Sequence, residues 1–301
     1  MKILISGASG FVGQALVTAL RAEGHTVARL VRPGGVLSPG DVSWNPMSAT
    51  SDVSAMEGAD AVVNLSGASI AAGRWTSQRK AILRSSRIDC TRVLVDTLLR
   101  LQRKPRVFLS ASAIGYYGDR GGEVLTEASP WGTDFLALLA RDWEGEAIRA
   151  EHGGIRTVIL RFGLILSAHG GALPKMLLPF KFGAGGRFGR GQQWMSWIEL
   201  QDSLGIIRAA IADDRFSGPL NVVAPHPLRN VEFTRIVAAA LRRPAIFPAP
   251  AFALRLLLGE MAGPLLLASQ RVRPERLLSL GYQFRCDDLA TTLRALLQTH
   301  R

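Results

Sequence analysis

Met1-Lys-Ile-Leu-Ile-Ser-Gly7-Ala-Ser-Gly10-Phe-Val-Gly13-Gln-Ala-Leu16 opens with an apolar run, Ile3 to Ile5, too short for a helix and ended by a glycine. Such a run reads as a buried parallel strand. Gly7, Gly10 and Gly13 lie three apart, and Phe11, Val12, Ala15, Leu16, Ala19 and Leu20 then recur at a helical period. The stretch is therefore strand, glycine turn, helix. In that setting the glycines serve a tight turn, a close backbone approach to a pyrophosphate, and close packing of helix on strand. The helix N-terminus adds unpaired N–H groups and partial positive charge. Gly7, Ser9, Gly10, Phe11, Val12 and Gly13 are thus candidate dinucleotide contacts.

The chain has 301 residues, 48% of them hydrophobic, enough for one large domain or two ordinary ones. No apolar run reaches the ~18 residues of a membrane span, and the first strand follows the N-terminus directly, so neither a membrane nor a secretory leader is expected. Two distant cysteines, Cys90 and Cys286, fit a reducing cytoplasm. Thirty-one of the 36 basic residues are arginine, and the net charge is +12. They are scattered, with no run of five and no aromatic-interleaved stripe, which favours a charged surface that attracts anionic cofactors over nucleic-acid binding.

The second strand, Thr26 to Val31, ends at Arg32-Pro33. An NAD-binding chain usually places Asp or Glu near this point for the ribose 2′-hydroxyl. Arg32 instead suits a 2′-phosphate, so NADP(H) is expected. Residues 33–51 read as loop, with Trp44 on a short extra strand. Asp60 to Asn64 is the next strand and runs into Leu65-Ser66-Gly67, small enough at its end to be adenosine-side contacts. A helical stretch spans Thr76 to about Leu101 and carries Arg84 and Arg87 on one face. Arg106 to Ser112 is a strand leading to Ala-Ile-Gly-Tyr116-Tyr117, where chemistry is expected. A helix from Trp131 to about Glu151 and a strand from Ile155 to Leu160 complete a doubly wound α/β pattern.

The pattern then changes. Gly-rich clusters at 168–172 and 183–192 flank a helix, Leu173 to Phe182; Trp194 to Ile198 reads as a strand, and Asp202 as the cap of the next helix. Gly218 to Ala224 returns as a strand. The expected division is a dinucleotide-binding domain at 1–165, completed by about 195–225, and a smaller mixed or helical substrate-side domain at 166–194 and 226–301.

Gly7-Ala-Ser-Gly-Phe-Val-Gly13, Asn64-Leu-Ser-Gly67, Ser110-Ala-Ser-Ala-Ile-Gly-Tyr-Tyr-Gly118, Leu160-Arg-Phe-Gly163 and Trp197-Ile-Glu-Leu-Gln-Asp202 follow the order of extended short-chain dehydrogenase/reductases. The chain resembles most an atypical branch, the epimerase family proteins (NAD-dependent epimerase/dehydratase-like). Gly171 to Phe180 and Gly191 to Ile198 resemble that branch's substrate-side segment, and Gly259 to Phe284 its C-terminal domain of unknown function. The resemblance implies a Rossmann domain binding NADP(H), with Val31, Arg32, Leu65, Ser66, Arg87 and Leu160 at cofactor positions. Extended members often dimerise through the helices after their third and fourth strands, and monomer and homodimer both stay open here.

The wider superfamily uses a Ser and a Tyr-x-x-x-Lys, the Lys lowering the Tyr pKa for proton exchange with a substrate hydroxyl. This chain has no Tyr-x-x-x-Lys: Arg120, Gly121 and Cys286 follow its three tyrosines at that spacing. Asp134 to Arg141, on the helix that normally carries it, offers Phe and Leu. Three readings stand. Tyr116 or Tyr117 is a substitute acid, with Ser112 holding a carbonyl oxygen and a basic group such as Lys175 or Arg161 brought in from the second domain; or the tyrosines wall the nicotinamide pocket and another donor or water acts; or the protein binds NADP(H) without turnover, as a redox sensor. The first gives an oxidoreductase or epimerase-like enzyme acting on a small carbonyl or hydroxyl compound, free or nucleotide-linked. His25, His152, His169, His226 and His300 are isolated, so no metal site is expected. Trp194, Met195 and Trp197 read as second-domain core.

Overall fold

Ile3, Leu4 and Ile5 are wholly buried in β1 (Lys2–Ser6), because both faces of this strand are covered. Ile3 and Ile5 enter the apolar layer shared with α1 (Phe11–Ala22), and Leu4 enters the opposite layer. Two-sided burial is what a central parallel strand requires, and it accounts for an apolar run without alternation. The computed structural model describes residues 1–46 and 54–298; residues 47–53, partly within the stretch read as loop, and His300 lie outside the described residues.

The other strands of the main sheet are β2 (Thr26–Val31), β3 (Val42–Ser43), β4 (Ala61–Asn64), β5 (Val107–Ala113), β6 (Arg156–Phe162) and β7 (Gly218–Val222). Their order in space is β7-β6-β5-β4-β1-β2-β3, with every pair parallel. This is the expected doubly wound, Rossmann-type α/β sheet. The chain builds outward from β1 to β3, then crosses back to place β4 on the other side of β1. The carboxyl ends of β1 and β4 therefore flank the switch point where open α/β sheets bind ligands. The expected extra strand is present as β3, and Trp44 just beyond it is 2% exposed, its N–H donating to the Val31 carbonyl.

Between β4 and β5 the helical stretch is three pieces. α2 (Ser77–Arg84) is capped by Thr76, a π-helical turn spans Ser85–Asp89, and α3 (Cys90–Arg100) continues. α4 (Phe135–Ile148) packs beside α3, and Arg92–Glu146 and Arg149–Asp96 ion pairs join the two on the outside. After β6 come α5 (Leu173–Lys181), α6 (Leu200–Ala212), α7 (Asn230–Leu241), α8 (Ala251–Leu258), α9 (Glu275–Ser279) and α10 (Leu289–Gln298). Of these, α6 packs on the main sheet beside α1, while Leu173, Leu177, Phe180, Trp197, Phe233 and Leu293 form the core of the smaller, mainly helical remainder.

Asp202 does not cap α6. The helix begins earlier, at Leu200, and its cap is Glu199, whose carboxylate accepts from the Gln201 N–H. Asp202 is fully buried in the first turn, and its two carboxylate oxygens accept the backbone N–H groups of Arg285 and Cys286, each at 2.9 Å. It therefore ties the segment entering α10 to the Rossmann layer. Hydrogen bonds to a charged group contribute about 1.5–3 kcal/mol each. Asp202→Ala should lower the unfolding free energy in urea by about 3 kcal/mol and make the chain beyond residue 285 sensitive to limited proteolysis first.

Candidate functional site

Gly7 lies at φ +71°, and a Cβ there would come within 2.5 Å of the Leu65 backbone; a Cβ on Gly13 would lie 2.3 Å from the Gly7 carbonyl oxygen. The turn is thus wedged between the end of β4 and the start of α1, with no space for side chains. The N-cap of α1 is Gly10, which offers no side-chain hydrogen bond, and the first turn holds no acidic residue. Its amides are left for an anion. Gly170 packs on the Phe11 ring, so the loop before α5 crosses over this turn.

The turn forms one wall of a cleft of about 1170 Å³ along the carboxyl ends of β1, β2 and β4. Gly7, Ser9, Gly10, Val31, Arg32, Leu65, Ser66 and Gly67 all line it, so most of the sequence-derived cofactor candidates come together. Its described lining contains Arg29 and Arg32 but no Asp or Glu. Asp41, just before β3, is clasped by Arg29, whose hydrogen bonds hold its pKa down to about 2. Arg29 is thereby neutralised, and Arg32 stands exposed at the strand end.

Asn64 organises the base of the cleft. Its side-chain oxygen accepts from the Ser6 hydroxyl at 2.6 Å, and its amide donates to Thr91 at 2.8 Å, while Ser66 donates to Ser6 at 3.0 Å. The π turn aims two side chains at the loop after β4: Ser86 accepts from the Ala68 N–H, and Arg87 donates to the Ala68 carbonyl at 3.0 Å. Arg87 lies over the Trp143 ring at 5.3 Å and beside Gly67. Burial, with the Arg79 charge adding, pushes it down to about 10. No carboxylate pairs with it among the described residues, so it is a half-buried cation held by carbonyls and an aromatic face. Leu160, by contrast, is fully buried in the core under α1 and α6, and its side chain stands apart from the cleft.

The three catalytic candidates separate sharply. Ser112 is buried and donates to the Glu144 carboxylate at 2.6 Å. Tyr117 is 0% exposed; it donates to Asn221 at 2.6 Å and accepts from Arg161 at 2.9 Å, and burial pushes it up to about 12. Its hydroxyl is enclosed and fully engaged, which removes it from any surface a substrate could touch. Tyr116 is half-buried, with its ring stacked on the Arg161 guanidinium at 3.6 Å. Arg161 is not a cleft residue brought from the C-terminal part: it lies buried on β6 and forms a two-pronged ion pair with Glu144 at 2.9 and 2.8 Å. Lys175 is exposed on α5.

Glu144 was not visible as a site residue in the sequence. Its signal would have been an acidic residue on the apolar side of α4, between Trp143 and Ala147. Where α4 faces α2, an apolar wall forms from Trp75, Leu83, Leu139, Trp143 and Met261, with Phe135 edge-on to Trp75 at 5.2 Å. Trp197 is core as expected, but Trp194 is not: it lies between the guanidinium groups of Arg271 and Arg229, at 4.4 and 5.4 Å. Among the described residues no cluster of His, Cys, Asp or Glu could hold a metal, and no helix is long and apolar enough to cross a membrane.

Comparison with known proteins places this geometry. The profile of the NAD dependent epimerase/dehydratase family matches residues 3–223, and that of a domain of unknown function, DUF1731, matches residues 249–296. Epimerase family protein ML0860 of Mycobacterium leprae is 40% identical over 291 residues, covering 97% of this chain and 94% of that protein. The crystal structure of human epimerase family protein SDR39U1 (isoform 2) with NADPH superimposes with a TM-score of 0.91 at 32% identity, over 99% of both chains. A nucleoside-diphosphate sugar epimerase structure from Corynebacterium glutamicum has a TM-score of 0.81 and 36% identity, over 99% of this chain and 58% of that one. The chain belongs to the NAD-dependent epimerase/dehydratase family, in the group of epimerase family proteins that includes SDR39U1.

Proposed function

We propose that this chain binds NADP(H) in the cleft beside the glycine turn and acts as an oxidoreductase or epimerase-like enzyme on a small carbonyl or hydroxyl compound. One observation carries the cofactor assignment: an uncapped helix N-terminus and an exposed Arg32 share a cleft whose described lining has no carboxylate. The α1 amides meet the pyrophosphate, and Arg32 meets the 2′-phosphate that distinguishes NADP from NAD. Leu65, Ser66 and Gly67 flank the adenosine half, and the Arg87 charge, lacking a carboxylate, faces a further anionic or carbonyl group. The human relative solved with NADPH supports this choice. Bound NADPH supplies a hydride.

Tyr116 is the proton donor in this reading. Ser112 has given its hydrogen bond to Glu144, and Tyr117 is enclosed. Burial raises the Tyr116 pKa above its ordinary value, the reverse of what a neighbouring Lys does in the wider superfamily. A phenol shifted upward keeps its proton at neutral pH, which suits the donor role in carbonyl reduction. A second reading, a non-catalytic NADP(H)-binding regulator or redox sensor, draws support from the committed Ser112 hydroxyl and the apolar Phe135 and Leu139 on α4.

NADPH titrated by protein fluorescence should bind at least tenfold more tightly than NADH. Arg32→Ala should remove that preference, a loss of about 1.4 kcal/mol, and leave NADH affinity unchanged; equal affinities in the unmodified chain would refute the Arg32 role. On a carbonyl substrate found by panel screening, Tyr116→Phe should cut turnover by about 100-fold with NADPH affinity intact. The reduction rate of the unmodified enzyme should stay flat from about pH 6 to about pH 9, because Tyr116 keeps its proton throughout. Full turnover by Tyr116→Phe would shift the proton source elsewhere, and absence of turnover with tight NADPH binding would favour the regulator.

A further inference from the structure

The positive charge is not spread evenly over the folded chain. Residues 171–198 contain four basic residues and no Asp or Glu, and residues 233–259 repeat the same composition. These two acid-free segments are brought together. The Phe247 N–H donates to the Gly185 carbonyl, the Ala249 N–H to that of Arg187, and the Gly189 N–H to that of Ala249. Arg190 and Arg255 line one shallow pocket between them, joined there by Arg229 and by Asp119, whose carboxylate accepts the Ser269 N–H. Lys181, Arg187, Arg190, Arg242, Arg243 and Arg255 are all exposed, and none of the six is ion-paired among the described residues. Elsewhere arginines on the surface are commonly matched, as in Arg92–Glu146, Arg149–Asp96 and Arg208–Glu23.

The same segments carry large apolar side chains in contact with solvent. Phe182, Phe252 and Leu256 are 80%, 74% and 77% exposed, and Ile246, Phe247 and Leu257 accompany them. α8, whose sequence is Ala-Phe-Ala-Leu-Arg-Leu-Leu-Leu, has no buried residue at all. A helix that apolar is normally covered. Its carboxyl end is held in place by Arg74, which donates to the carbonyls of Leu256 and Leu257, so the face is fixed rather than loose.

We propose that this face docks on an anionic lipid surface. Phenylalanine and leucine side chains entering the interface, with arginines and lysines level with the headgroups, form the chemistry that such a surface recognises. A second copy of the chain is a poorer occupant, because it would set two predominantly basic faces against each other. That no helix among the described residues is long and apolar enough to cross a membrane is no objection, since a docking face lies on the bilayer rather than through it. The docking leaves the cofactor cleft, which opens between β1, β2 and β4, to work independently.

The test is co-sedimentation of the full chain with vesicles of phosphatidylcholine alone and of phosphatidylcholine with 30% phosphatidylglycerol, at low and high salt. The expected result is at least tenfold stronger binding to the anionic vesicles, weakened by salt. Phe252→Ser with Leu256→Ser, and separately Arg242→Glu with Arg243→Glu, should each weaken it at least tenfold. All these side chains are exposed, and unchanged thermal melting and NADPH titration establish that the variants fold. No binding to anionic vesicles, equal binding to neutral ones, or binding insensitive to both double variants would overturn the proposal. So would a dimer on a sizing column that Phe252→Ser with Leu256→Ser dissolves, since the face would then serve self-association.

Discussion

The buried ion pair between Arg161 on β6 and Glu144 on α4 is the constraint on which the centre of the molecule depends. Both side chains are almost fully enclosed, and removing two charges from water costs several kcal/mol each unless every polar group around them is matched. Here the matching is extensive. Ser112 donates to Glu144, the Tyr117 hydroxyl and the Glu127 carbonyl accept from Arg161, and the Tyr116 ring covers the guanidinium face. Burial disfavours the arginine's charge, yet the Glu144 carboxylate outweighs it and holds the guanidinium more firmly protonated than a free one. The network continues through Tyr117 to Asn221 on β7 and from Asn221 to the Arg273 carbonyl. One charge pair thus joins three strands, α4 and the C-terminal part, and it fixes Tyr116 at the edge as the group left over.

A second polar node does similar work under the cleft. Asn64 links the ends of β1 and β4 to Thr91 on α3, and Thr91 in turn accepts from the Trp143 indole on α4. The carboxyl ends of parallel strands leave backbone and side-chain groups that cannot all find partners within the sheet. Small hydroxyl and amide residues there satisfy one another while keeping the space above them empty. The width of the cleft therefore follows from the choice of Ser, Asn and Gly at strand ends, and its sign follows from arginines whose carboxylates are absent or, for Asp41, already taken.

The sequence made the Rossmann half legible because its signals are local. Gly7, Gly10 and Gly13 sit between a strand and a helix, and Arg32 follows directly at a strand end, so a reader needs only spacing to place them. Tyr116 and Tyr117 are adjacent and chemically identical, and nothing local separates a half-exposed stacking ring from a fully buried hydroxyl. That difference arises when Arg271–Val272 pairs with Val124–Leu125 and closes over one of them. Asp202 misleads for the same reason: it has a cap's composition, but its partners are 83 and 84 residues away. Glu144 is hidden because an acid on a helix normally marks the solvated face. The charge pattern was present in the sequence yet read as scatter, since residues 171–198 and 233–259 become one surface only after folding.

The arginines of this chain fall into groups that differ in whether a carboxylate meets them. Most surface arginines of the Rossmann half are spent on Asp and Glu neighbours, and they contribute to solubility and little else, because exposed pairs are weak. Arg32 and Arg87 differ: one ends β2 in a cleft whose described lining holds no carboxylate, the other is half-buried beside Gly67 against carbonyls and an aromatic face. A guanidinium partly withdrawn from water without a carboxylate costs free energy, and in the function proposed above an anion offsets that cost. The arginines around α8 are a different case, exposed and cheap to hold, and their meaning comes from the apolar side chains between them. A phosphate needs directed donors at fixed distances, whereas a charged surface needs only density of charge next to something apolar. In the readings proposed above the cleft uses the first arrangement and the α8 face the second, so a single excess of basic residues would divide into two kinds of recognition.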